Sequence, residues 1–221
     1  MDMSLTLVLA VNSLTLGGLL FLLSAGFSLI FGLMKIPNLT HGSFFMLGAY
    51  LATSLIAYGL DFWTAAVLGG LGVALFGGVV ERFILRRLAG AELAQVLVTL
   101  GLSFMVADVC LMVWTGDPIR IATPAALRGA ASFAGFAGVI GGPILSVYPG
   151  LDGEMLPLAL VVVILGGSGS LLGSLVGSFV VGFLYNFGQA MFPELAYVVL
   201  FLPMLIVLVL RPQGLFGRPA V

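Results

Sequence analysis

An all-α, polytopic transmembrane bundle is the fold class this sequence predicts, and three observations predict it. Hydrophobic residues make up 61% of the 221 and charged residues only 8%, at a mean hydropathy of +1.26. So few ionic groups cannot cover a water-soluble globule. The apolar stretches are continuous rather than alternating with period two, which excludes a β-barrel. Finally, uncharged runs approaching the roughly 20 residues a helix needs to cross hydrocarbon recur seven or eight times.

The first run, 5–33, opens in MDMSLTLVLA without a basic segment before it and reads as a retained span rather than a cleaved leader. It leads into the text FGLMKIPNLTHGSFFMLGAYLA at 31–52, where Pro37 separates two apolar runs and brings Asn38, Thr40 and His41 to the break. In lipid, backbone groups left unpaired by proline must be satisfied by neighbours or water, so these polar side chains have a structural task. For His41, capping or packing near the interface stands beside a role in a polar pathway. Runs at 42–60 and 62–80 follow, then the basic patch of Arg82, Arg86 and Arg87.

The run 93–115 carries Asp108, the one acid well inside a span. An intramembrane carboxylate is costly enough to require a partner or an aqueous lining, and both a structural hydrogen bond and a functional role are open for it. Beyond a polar loop at 116–129, runs extend over 130–148, 155–167, 171–191 and 195–210. The stretch 155–167 covers only about 20 Å at about 1.5 Å per residue and reads as a half-helix. It ends in GGSGSLLG at 166–173, a second break with Gly167 and Gly169 at its centre. Small residues recur every fourth position at Gly70, Ala74 and Gly78, at Ala134, Gly138 and Gly142, and at Ser170, Ser174, Ser178 and Gly182. Such stripes let helix backbones approach closely in lipid.

Several function classes fall away. A net charge of -1 offers no basic surface for nucleic acid. Cys110 and His41 are the only cysteine and histidine, so neither a disulfide framework nor a thiolate or histidine metal cage can form. The glycine-rich break lacks the GxxxxGK[ST] lysine, so any ATP would bind a separate subunit, and no HExxH, GxSxG or paired carboxylates on one helix face indicate catalysis. No cofactor is expected. Asp152 and Glu154, two apart, are expected in a solvated loop.

Loops rich in Lys and Arg stay cytoplasmic, which makes Lys35, the Arg82 patch and the pair Arg211 and Arg218 inner markers. Two spans separate Lys35 from Arg82, so both lie on one side. Five expected spans separate Arg87 from Arg211, and an odd number puts them on opposite faces. Either 155–191 crosses only once or a span is missing near residue 129; the second also sends Asp152 and Glu154 to the outer face and is preferred.

The text at 31–52 resembles the signature of the branched-chain amino acid ABC permeases, the H-type subunit of the high-affinity leucine, isoleucine and valine system. Similar text recurs in TLGLS at 99–103, GDP at 116–118, ILGGSGSLLGSLVG at 164–177 and RPQGLFG at 211–217. The resemblance implies a multi-pass protein of the bacterial inner membrane, a single permease domain over 1–221. Its partners would be a second permease subunit, two cytoplasmic ATP-binding subunits and a periplasmic substrate-binding protein, with transport by alternating access. By the same resemblance and by position, Asn38, Thr40, His41 and Gly42 belong to a helix break near the translocation path, with Gly167 and Gly169 at a second break and Asp108 as a further pathway residue. Relatives carry a further span and a cytoplasmic stretch rich in Arg and acids that this chain skips at 128–132, the place where the charge count fails, so an internal segment is missing near 129–130 and coupling to an ATPase is in question. A passive helical channel, a coupling-deficient remnant and a urea or short-chain amide importer are the alternatives.

Overall fold

A computed structural model describes residues 2–34, 38–119 and 147–217, with backbone only at 31–34 and 196. Lys35, Pro37, Arg218, the junction near 129–130 and the stripe of Ala134, Gly138 and Gly142 lie outside the described residues. Seven α-helices account for most of what is described: α1 Met3–Met34, α2 Thr40–Ala57, α3 Phe62–Phe83, α4 Glu92–Trp114, α5 Leu151–Gly166, α6 Leu171–Met191 and α7 Ala196–Leu210. Two 3-10 turns, Leu85–Leu88 and Pro193–Leu195, mark corners. The polytopic all-α bundle holds. Among the described residues, four stretches are long and apolar enough to cross a membrane: Met3–Ile30, Phe62–Leu88, Glu92–Trp114 and Leu171–Met191. The polar opening turn of α2, with Thr40, His41 and Ser43, lowers the hydropathy of that 18-residue helix, while α7 is 15 residues long.

Only 17% to 39% of each of the four spanning windows is buried within the chain. Met112 and Val209 are each 83% exposed and Leu75 is 74% exposed. Surface this apolar is stable only against lipid or another subunit.

The chain divides into two compact units, with the boundaries near residues 35, 125, 141 and 157. The last falls at Pro157 inside α5, where the missing N–H breaks the helical ladder. In the first unit, α1 and α6 run antiparallel. Gly169 N donates to Ser28 Oγ at 3.0 Å at one end, while further along a Cβ on Gly17 would meet Phe179 and one on Gly182 would lie 2.6 Å from the Ser13 carbonyl. Ser174, Ser178 and Gly182 are buried on this seam, so that expected stripe is a packing face, tight because lipid supplies no hydrophobic drive between helices and close backbone approach must substitute.

In the second unit, α2, α3 and α4 form a consecutive up-down-up set. Three hydrogen-bonded pairs between α2 and α4, Thr40 with Thr99, Ser43 with Ser103 and Ser54 with Trp114, keep a sequence offset of 59 or 60, so the two helices run parallel. Their N-terminal ends lie with the Arg82–Arg87 corner, pinned by Gln95 Nε2 donating to the Leu85 carbonyl at 3.1 Å. The expected stripe Gly70, Ala74 and Gly78 faces outward, with open space around both glycines. Contact with α2 instead runs through the neighbouring register: a Cβ on Gly69 would lie 3.2 Å from Ala52 N and from the Gly48 carbonyl. Four-residue spacing identifies a stripe but not the side of the helix that is covered.

Candidate functional site

In each unit, strings that stood apart in the sequence meet in space. In the second unit, the first break starts with Asn38, whose Oδ1 accepts from Thr40 N at 3.1 Å and holds the opening of α2. Thr40 Oγ1 donates to the Thr99 carbonyl at 2.9 Å, and both threonines are buried. A Cβ on Gly42 would lie 3.0 Å from Leu156 Cβ and 3.2 Å from the Asp152 carbonyl, so glycine there lets the first turns of α5 approach α2. His41 is half-buried. The signature text around residue 40 thus packs onto the TLGLS text of α4.

One turn further, Ser43 Oγ donates to Asp152 Oδ2 at 2.7 Å and lies against the hydroxyl of Ser103. A hydroxyl carries one proton, so with that proton on Asp152 the Ser43 oxygen accepts from Ser103. Asp152 is only 9% exposed and Ser43 is fully buried. This corrects the expectation of a solvated loop: Asp152 stands in the first turn of α5, while Glu154, two residues on, is exposed. A separation of two turns a helix by about 200°, so adjacent acids part company once the segment is helical. Higher on α2, the Tyr50 ring stacks on Trp114 at 5.0 Å and 22°, and Trp114 Nε1 donates to Ser54 Oγ at 2.7 Å. Among the described residues, the Tyr50 hydroxyl is buried without a hydrogen-bond partner.

Asp108 does not join this group. Its neighbours Ser103, Val106 and Cys110 are buried on α4, whereas Asp108 is on the exposed side of the helix. The residues that sequence reasoning missed are Ser43, Thr99, Ser103, Tyr50 and Asp152. A signal was present in α4: Gln95, Thr99 and Ser103 repeat every four residues through an apolar span, a polar stripe that must face protein rather than lipid.

In the first unit, the second break is a tight turn between α5 and α6. Gly167 has φ +100° and Gly169 φ +80°, conformations that only glycine adopts readily. Ser170 caps α6 by accepting from Gly173 N at 3.0 Å. Gly166 and Gly173 approach backbone to backbone, leaving no room for a Cβ on either. The RPQGLFG segment folds back on this turn. Leu215 N donates to the Leu165 carbonyl at 2.9 Å and Phe216 N to the Gly166 carbonyl at 3.0 Å, satisfying carbonyls that the end of α5 leaves open. Gly214, at φ +80°, touches the backbone of Gly167. Two strings more than 30 residues apart therefore make one corner, at the end of this unit where α1 terminates and Arg211 begins the last segment.

The sequence profile of the family described as "Branched-chain amino acid transport system / permease component" matches residues 9–126 and 117–208. Over 129 residues the chain is 28% identical to the high-affinity branched-chain amino acid transport system permease protein BraD of Pseudomonas aeruginosa. That alignment covers 54% of this chain and 41% of the relative, so the chain spans about two fifths of the relative's length. No solved structure matches the chain.

Proposed function

The chain belongs to the family of branched-chain amino acid transport permease components, and from that membership we propose that it is the permease subunit of an ATP-driven importer. The cargo is leucine, isoleucine, valine or a related amphipathic amino acid. Import proceeds by alternating access in the bacterial inner membrane, with a second permease subunit, two cytoplasmic ATP-binding subunits and a periplasmic binding protein. The observation that carries this reading is the family match over stretches reaching from residue 9 to residue 208. The printed name of the BraD relative assigns such transport to that protein and supports the same cargo class here. The helices leave most of their apolar surface uncovered, as a subunit that packs against others in lipid must.

In this reading Asn38, Thr40, His41 and Gly42 line the path at the start of α2, where polar groups gather inside an apolar helix set. Gly167 and Gly169 form the second break, which borders the path as breaks in transporter helices do. Asp108 faces away from α2 and serves the path only where a neighbouring subunit closes over that side of α4.

A second reading, a coupling-deficient remnant of such a permease, is favoured by one observation. The family profile matches in two stretches that overlap at 117–126, next to the skipped segment at 128–132. The two readings separate in an uptake assay. The chain is co-expressed with an ATPase, a second permease and a binding protein of this importer class, and labelled leucine is followed. Uptake that requires every partner and stops on ATP depletion is the expected result. Normal membrane insertion without uptake selects the remnant, and uptake by the chain alone, insensitive to ATP, selects a channel.

A further inference from the structure

Asp152 is 9% exposed, and among the described residues the hydrogen bond its carboxylate receives comes from a neutral hydroxyl, Ser43 Oγ at 2.7 Å. A hydroxyl donor brings no positive charge to offset the desolvation of a buried carboxylate. Two more oxygens with acceptor capacity, the Ser103 hydroxyl and carbonyl, lie within hydrogen-bond reach of Ser43 Oγ. An ammonium group has three donors and no acceptor, which is the complement of this arrangement. A second, independent group points to the other half of a zwitterion. The Tyr50 hydroxyl is fully buried and unpartnered among the described residues, an unused donor seven residues along α2 from Ser43. Seven residues rise about 10 Å, and helical side chains lean toward the N-terminus, so the Tyr50 hydroxyl is carried toward Ser43. Cys110, buried on α4, stands at the same offset of 60 from Tyr50 that pairs Ser43 with Ser103, so Ser43 and Tyr50 lie along one buried α2–α4 seam.

We infer that Asp152, with the oxygens of Ser43 and Ser103, receives the α-ammonium group of the transported amino acid, and that the Tyr50 hydroxyl donates to its carboxylate. This rests on the permease reading above and names the residues that would recognise its cargo. Gly42 is a positioning residue in this arrangement, since a Cβ there would press on the Asp152 carbonyl and Leu156.

The test uses the full chain in lipid nanodiscs with Trp63→Phe, leaving Trp114, stacked on Tyr50, as the one tryptophan. Leucine and leucinamide, which carry the ammonium, are expected to change Trp114 emission saturably, whereas 4-methylpentanoate and N-acetylleucine are not. Asp152→Asn keeps an acceptor for Ser43 but removes the charge, and is expected to weaken leucine about tenfold to a hundredfold, the scale of a hydrogen bond to a charged group. Asp152→Glu restores part of that affinity and guards against a misfolded Asn variant, with thermal melting recorded for each. Tyr50→Phe weakens leucine more than leucinamide, whose neutral carbonyl accepts a weaker hydrogen bond than a carboxylate. Equal leucine affinity in Asp152→Asn, binding of 4-methylpentanoate as tight as leucine, or no saturable response to any probe overturns the inference. Leucine uptake with all partners present then still stands as evidence for the permease, and its absence despite Asp152-dependent binding removes the permease reading alone.

Discussion

Gly167 shows how a single position can decide a corner. At φ +100° an L side chain costs about 1–2 kcal/mol in the left-handed region, and a Cβ there would also collide with the backbone of Gly217 and Gln213. Gly167→Ala is expected to lower the melting temperature of the purified chain in detergent by more than Gly59→Ala does. Gly59 has a comparable φ of +96° but open space around it, so the comparison isolates the crowding. Equal losses for the two would show that the folded-back RPQGLFG segment does not press on the turn. Asp61 gives a residue-scale prediction outside the spans. The hydroxyl and then the amide of Thr64 donate to it and hold its carboxyl below the ordinary carboxylate range. Because the folded value is the lower one, the cap contributes in full above the ordinary value and is lost as the pH falls through the depressed one. Protection of the Thr64 amide, taken relative to its intrinsic exchange rate, should therefore fall only in acid, and Asp61→Asn should flatten that dependence. An amide whose protection ignores pH in the parent chain would remove the argument.

At the scale of the element, the polar pairs between α2 and α4 do what apolar contacts cannot. Leu against Leu is no better than Leu against lipid, so register in a membrane comes from hydrogen bonds and from places where backbones fit closely. The constant offset of Thr40, Ser43 and Ser54 against Thr99, Ser103 and Trp114 fixes two parallel helices with α3 between them in sequence. The α2–α3 contact yields a test that turns on one residue of register. Gly69→Leu forces side-chain atoms onto the Gly48 carbonyl and Ala52 N and should cost about 1–3 kcal/mol, the usual scale of overpacking. Gly70→Leu enters open space and should leave the melting temperature of the isolated chain unchanged. Similar losses from both would mean that the outward stripe is covered as well.

Across the whole molecule, charge and topology can be checked against each other. In the second unit the Arg82–Arg87 corner lies with the N-terminal ends of α2 and α4, and in the first unit Arg211 lies at the end where α1 terminates. Basic residues stay cytoplasmic, so reporters fused after Arg87 and after Gly217 are both expected inside. Reporters on opposite sides would leave the odd count of five spans standing and reject a single crossing over 155–191. The uncovered apolar surface makes a second expectation: without detergent or lipid the purified chain should aggregate, as sedimentation would show.

Much of this was legible without coordinates. Seven of the expected runs correspond to helices, because continuous apolar text has no other stable form in hydrocarbon and the backbone must pair within each segment. The breaks near residues 38 and 167 were legible as well, since proline and paired glycines interrupt a helix by their own covalent chemistry. What faces what was not. Asp108 stands within a span but on the uncovered side of α4, while Asp152 looked like a loop residue and is buried against Ser43. Gly69 rather than Gly70 meets α2, and RPQGLFG closes the end of α5. In a soluble helix the apolar stripe announces the covered side, but a span is apolar all round, so composition settles that each helix sits in lipid. Only the packing of one helix on another decides which of its few polar groups are brought together.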